Sequence, residues 1–341
     1  MTFRRGTVVA VDSDGRVARV RVNCGDQERA AIAYSAVEVG DDVVVNTAGV
    51  DLALGSGGFD IVHVNLTRGL DQPGPEESHV LKLNYTSLQH AVEPIETSTG
   101  HLAVPEHGQV TTRSPLAVIA LHAQLPCVAW QAHQRLPDAR IGFIQTWGGA
   151  LPGLLSRVVQ RLRSDGLLAG HITAGPAFGG EQEAISVEGA IQAAFASLEW
   201  EAAIIGPGPG IVGSDSALGH GGMAALESAH AALAVGCKPL IVPRMSSGDP
   251  RPRHQGLSHH TKTVLELLLR PVHVALPEPR PLPGDHQGVS AAVDLDGYRA
   301  SGLPAITMGR GIDQDGLFFR AALAGGAVLA EEIGVVRASR Q

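Results

Sequence analysis

Residues 243 to 261, PRMSSGDPRPRHQGLSHHT, gather side chains able to bind charge and move protons: Arg244, Asp249, Arg251, Arg253, His254, Ser258, His259, His260 and Thr261, with Lys262 next. Arginine forks can grip a phosphate or carboxylate through paired N–H donors. Histidines beside them can give or take the proton of a bound group. If Ser258 caps a helix, His259 and His260 occupy its first two positions, where the positive end of the helix and the nearby guanidinium groups disfavour imidazolium. Their pKa values are therefore expected below the ordinary value of about 6.5. Three readings follow. In the first, Arg244, Arg251 and Arg253 bind an anionic substrate and His254, His259 or His260 serves as acid or base. In the second, Asp249, His254, His259 and His260 ligate a metal, although H-x-x-x-x-H-H matches no standard zinc pattern. In the third, the segment is a solvated basic loop ending in a helix cap.

Glycine-rich stretches supply further candidates, because backbone N–H groups approach an anion closely where there is no Cβ. They are Gly179 and Gly180 in TAGPAFGGEQ (173–182), and Gly208, Gly210, Ser214 and His220 in GPGPGIVGSDSALGHGG (206–222). GPGPG is neither a dinucleotide fingerprint nor a P-loop, and its prolines remove the donors a phosphate would use. No GxSxG, HExxH or CxxC occurs, so the serine-hydrolase, zincin and thioredoxin readings lose support and no cofactor is assigned. His230 recurs with Met223, Leu226 and Leu233 at helical spacing and reads as a core or boundary histidine. Asp215, with Ser214, could bind a hydroxyl or cap a turn, and turn chemistry is favoured. Glu181 and Glu183 are carboxylates suited either to the site or to the first turn of a helix.

From Arg140 the chain alternates short apolar runs with longer amphipathic ones. RIGFIQT, LLAGHITA, EAAIIG, KPLIVP, PVHVALP and PAITMG read as strands, and helices are expected to begin near Leu151, Ile185, Gly221, Ser258, Ala291 and Asp315. This is the signature of a parallel, Rossmann-like α/β sheet with helices on both faces. Ligands of such sheets bind outside the carboxyl ends of the strands. The segments 146–152, 173–182, 206–222, 243–261 and 308–315 should therefore share one rim. Leu116 to Trp130 reads as a buried helix, opened by Ser114-Pro115 and kinked at Pro126. PEPRPLPGDH, 277–286, is a surface excursion or a lid.

Residues 1–75 read as a small all-β, SH3-like or OB-like barrel. TVVAV, VARVRV, AAIAY, DVVVN and DIVHVNL alternate with turns, and Ala18, Val20 and Val22 face one way. With seven arginines, no lysine and few aromatics, the segment offers neither a phosphate groove nor a stacking platform; a packing or oligomerisation role is expected. Residues 76–113 read as an extended connector with one or two strands, 114–335 as the α/β domain and 336–341 as a tail.

A net charge of −8 argues against nucleic acid or an anionic membrane as the main partner. Three unclustered cysteines fit a reducing cytosol. The start, MTFRRGTVVAVDSDG, has too short an apolar run for a signal peptide, and the longest apolar stretch falls short of the roughly 20 residues that span a bilayer. A cytoplasmic protein is expected, free of nucleic acid and membrane, with a small anionic metabolite as partner and a homo-oligomer allowed.

TAGPAFGGEQEA, GPGPGIVGSDSALGHGG and above all PRMSSGDPRPRHQGLSHHT resemble the bacterial family catalogued as domain of unknown function 3866, over nearly the whole chain. The resemblance implies no activity. It implies an acidic residue where Trp147 stands in TWGGALP, so a carboxylate is missing there. The reading taken forward is an enzyme acting on a small anionic or phosphorylated metabolite at the strand-carboxyl rim. The alternatives are a ligand-sensing or assembly protein without turnover, and a metal-dependent enzyme built on the Asp/His loop.

Overall fold

A computed structural model describes residues 1–13, 17–54, 57–71, 78–98 and 114–340. The chain divides into two compact units, 1–92 and 93–341.

In the first unit β1 (Phe3–Ser13), β2 (Ala18–Cys24), β3 (Gln27–Ala33), β4 (Asp42–Asn46) and β5 (Asp60–Asn65) close a barrel in the order β1-β2-β3-β5-β4. Alternation dictates its interior. Ala18, Val20 and Val22 are buried with Val8, Ala31, Ala33, Val43, Val45 and Val62, and Arg21 points outward. A bulge between Val8 and Ala10 bends β1 so that it can pair with both β2 and β4. β6 (Val80–Lys82) and β7 (His90–Val92) form a separate antiparallel pair within the span expected to be a connector; residues 76–77 and 99–113 of that span lie outside the described residues.

The second unit is an eight-stranded parallel sheet. Its strands are β8 (Pro115–Ile119), β9 (Ile141–Thr146), β10 (His171–Ala174), β11 (Gln182–Ala184), β12 (Ala202–Pro207), β13 (Lys238–Val242), β16 (His273–Leu276) and β17 (Gln287–Ser290), in the order β11-β10-β9-β12-β8-β13-β16-β17. Two-residue strands β14 (Met245–Ser246) and β15 (Gly256–Leu257) lie between β13 and β16 and pair only with each other. Both sheet faces are covered. Leu116 and Val118 join the core under the helices Val187–Ala196, Ala224–Ala234 and His259–Leu267. Ala117 and Ile119 join the opposite core under Leu125–Arg135, Arg157–Ser164 and the long helix Gly316–Arg340. That helix runs through residues 336–340.

Two expectations for this unit are corrected. Residues 115–119 are not helix but the strand β8, buried on both sides between β12 and β13. A short, continuous apolar run carries no periodicity to separate a buried strand from a buried helix. The helix starts ten residues later, at Leu125, and Pro126 sits in its first turn, where its missing N–H costs nothing. PAITMG is not a sheet strand either. Ile306–Thr307 pairs only with Arg310–Gly311 in a two-residue hairpin. No helix among the described residues is long and apolar enough to cross a membrane.

Candidate functional site

β13 ends at Val242, and the chain leaves the carboxyl end of this interior strand at Pro243 to form a hairpin closed by β14 and β15. Thr261 Oγ1 accepts the Arg244 N–H (2.9 Å), and Arg244 O accepts the Ser258 N–H (3.0 Å). These bonds return the chain to its starting point. Ser258 then caps the helix His259–Leu267 by accepting from the His260 N–H, and lies 2.7 Å from His254 Nδ1. One turn of chain thus sets His254, His259 and His260 around a common centre, with one ring nitrogen from each within 4.8 Å of the others.

A fourth imidazole arrives from the loop after β12. The His220 ring stacks on His260 with centroids 3.6 Å apart and planes 11° apart, and lies 5.8 Å from the His259 ring. His220 Nε2–H donates to Ala217 O (2.9 Å), so its Nδ1 carries the lone pair. That Nδ1 and His259 Nε2 are buried without a hydrogen-bond partner. The next residue, Gly221, presses on the loop after β9: a Cβ there would sit 1.9 Å from Gly148 O, so only glycine permits the approach.

The arginines are already engaged. Asp249, fully buried, receives Arg251 through Nε (2.9 Å) and Nη2 (2.8 Å), Arg244 through Nη2 (3.2 Å) and Arg310 through Nη2 (3.3 Å). Arg310 also reaches Asp315 (3.1 Å), which accepts from Ser246 Oγ and the backbone of Ser247 and Gly248. Arg244 Nη1 donates to His260 Nδ1 (3.2 Å). Arg253 pairs at the surface with Asp215 (2.6 Å).

Burial foremost holds the histidines neutral, reinforced by Arg244 at His254 and by His220 and then Arg244 at His260. His254 is pushed down to about 4 and His260 to about 2. His259 is lowered by burial and then Arg253, and His220 by burial. The Asp249 carboxyl lies well below the usual carboxylate range, chiefly through Arg251. Burial alone would raise it.

The structure gathers His220, Arg244, Asp249, Arg251, His254, Ser258, His259, His260 and Thr261, with Arg253 and Asp215 at the edge. It does not bring in the other glycines. Gly179 and Gly180 follow β10, four strand spacings from β13 and roughly 19 Å away at about 4.8 Å per spacing. Glu183 accepts the Gly179 N–H, and Thr173 Oγ1 accepts the Gly180 N–H and donates to Glu183. That loop is therefore tied by its own turn and is not part of the same site. Ser214 bonds Ser216 and Gly219 O, closing its own turn. Asp249 is spanned by guanidinium groups and is absent from the gathered ligand atoms, which corrects the four-residue metal set to three histidines.

Gly208 and Gly210 line a different concavity of about 300 Å3, with Leu121, His122, Ile211 and Met308. There His122 Nδ1–H donates to Pro207 O (3.1 Å), and its Nε2 lies 2.7 Å from Ser156 Oγ. His122, Ser156, Arg310 and Asp315 were not singled out from sequence. Arg310 stands on a segment expected at the rim, but nothing local marks it as the partner of Asp249, 61 residues away.

Among curated proteins none matches the chain. Of solved structures, that of YjeQ from Thermotoga maritima is similar at 11% identity over 50% of this chain and 51% of that one, with a TM-score of 0.15. The match thus spans about half of each protein. The family described as "Protein of unknown function (DUF3866)" matches residues 30–326, a span that holds the whole parallel sheet and the histidine-rich hairpin, and the chain belongs to this family.

Proposed function

We propose that the protein is an enzyme acting on a small anionic or phosphorylated metabolite where the loops after β12 and β13 meet. One observation carries the reading: four neutral imidazoles are packed beside three guanidinium groups that share two carboxylates, Asp249 and Asp315. Positive charge is in excess there, and uncharged bases stand beside it. Arg251 uses Nε and Nη2 on Asp249, leaving Nη1 outside that pair, and is about half exposed. It and Arg253 are the groups that bind the substrate anion. Arg244, buried, is a positioning residue acting through Asp249, the carboxylate that also holds Arg251. An imidazole of the cluster takes the substrate proton.

A thermal-shift screen of phosphate, carboxylates and phosphorylated metabolites, followed by turnover assays on the hits, tests the reading. Stabilisation by an anion that Arg251→Gln and Arg253→Gln both abolish, with conversion of that ligand, supports it. A tight ligand left unchanged over long incubation would instead make the protein a sensor, and indifference of every hit to both substitutions would remove the site.

A further inference from the structure

We propose that His254, His259 and His260 bind one divalent transition-metal ion of the zinc type through three imidazole nitrogens, leaving a further position open to water or to a substrate oxygen.

The donor set is specific. One nitrogen from each ring lies within 4.8 Å of the other two. Three nitrogens around a tetrahedral ion at about 2.1 Å stand about 3.4 Å apart, so closing the site asks for ring movements of roughly 1.4 Å. Two of the rings are already placed for it. His259 Nε2 is buried with no hydrogen-bond partner, a cost the fold recovers when a ligand fills the lone pair. His254 is held through Nδ1 by Ser258 Oγ at 2.7 Å, which fixes the ring and leaves Nε2 as the ligating atom. A hydrogen bond from the non-ligating nitrogen is what orients ligating histidines in general.

The third ring needs one exchange. Arg244 can only donate, so His260 Nδ1 accepts from it and the His260 proton sits on Nε2. Ligation through Nε2 moves that proton to Nδ1 and releases Arg244 Nη1, while Arg244 Nη2 stays on Asp249. His220, stacked flat on His260, keeps the ring in plane through the exchange. It cannot share the ion, because two parallel rings 3.6 Å apart do not both point in-plane lone pairs at one centre.

The chemistry of the donors selects the metal. Among the described residues the cluster offers imidazole nitrogen and no free carboxylate, since Asp249 is spanned by Arg244, Arg251 and Arg310. No thiol belongs to it either. Neutral nitrogen donors suit zinc, nickel, copper and iron, and disfavour magnesium and calcium, which need oxygen. Three protein ligands with an open position is the arrangement of catalytic rather than structural zinc. The inference deepens the proposed function by naming what the same site holds.

The full-length protein, purified without a histidine tag and stripped with chelator, is titrated with Zn(II) against a chromophoric chelator and with Co(II) by visible absorption. One equivalent with a tetrahedral Co(II) spectrum is expected. His254→Ala and His259→Ala should each weaken Zn(II) by roughly 100-fold, and His133→Ala, on a distant helix, should leave it unchanged. His259→Asn controls for folding, since it keeps a polar side chain of similar size; an unchanged melting temperature with lost Zn(II) still supports the site. Absence of stoichiometric binding, or binding indifferent to the His254 and His259 substitutions, overturns it. Anion stabilisation of the stripped protein, abolished by Arg251→Gln, would in that case leave the proposed function standing without a metal. Zn(II) bound with no anion response would leave the metal and remove the substrate reading.

Discussion

His220 and His260 lie face to face with ring centroids 3.6 Å apart, although 40 positions separate them in the chain. The pair joins the loop after β12 to the helix after β13. It does so with uncharged rings, since burial and Arg244 hold both neutral.

This stack makes the first prediction. His220→Ala removes a pair interaction of about 1 kcal/mol, so Zn(II) affinity should fall roughly fivefold while the ligand set stays intact. His220→Phe keeps a flat ring and should recover most of the loss, although it cannot donate to Ala217 O. Competition titration of both variants beside the parent checks this, and equal losses in the two would show that stacking is not what positions His260.

Asp249 should be the most sensitive single position in the site. Asp249→Asn keeps the shape but removes the charge that balances the buried Arg244, and breaking a buried pair by neutralising one partner costs about 3 kcal/mol or more. Denaturant unfolding should show this as a lower midpoint. Arg244→Met added to Asp249→Asn should restore part of it, because the uncompensated charge is then gone.

Ser258 has two tasks. Ser258→Ala removes the cap on the His260 N–H, worth about 1 kcal/mol. It also frees the His254 ring, which should weaken Zn(II) about 10-fold. Ser258→Thr should preserve both functions. Calorimetric melting and metal titration of the two variants separate the cap from the ring support.

Two histidines outside the cluster join His254 and His260 in setting the acid stability. Burial pushes His122 down to about 4 and His171 down to about 3. Unfolding returns each to about 6.5, so below that pH the unfolded state binds more protons and the fold loses stability. The sign is loss on acidification: full stability above about pH 6.5, falling by about 2.5 kcal/mol per histidine by pH 4.5. His171→Phe, beside the Phe143 ring with which His171 stacks, removes one of the two groups and an unpartnered buried nitrogen. With His254 and His260 contributing over the same range, urea midpoints between pH 7 and 4.5 should slope about a quarter less steeply in this variant.

Local patterns in the sequence determined a good deal. The two-residue alternation of Ala18, Val20 and Val22 is enough to place them inside the barrel, because a strand has no other way to bury three apolar side chains on one face. Short apolar runs at β9, β10, β12, β13 and β16, separated by amphipathic stretches, specify a parallel sheet with both faces covered. Ser258 before His259 and His260 specifies a capped helix entrance, since a serine hydroxyl satisfies an otherwise orphan N–H. Tertiary structure alone decided the rest. Whether PLAVI is strand or helix depends on β12 and β13 offering free edges on either side, which no window of five residues contains. Strand order separated Gly179 and Gly180 from the histidines, although both segments follow strands of one sheet. Asp249 became the shared partner of three arginines only when the hairpin at Arg310 packed beside it, and His220 met His260 only when two loops of the rim closed together. Side-chain spacing along a chain fixes which face a residue occupies. Which distant residue it faces is fixed by how the sheet orders its strands.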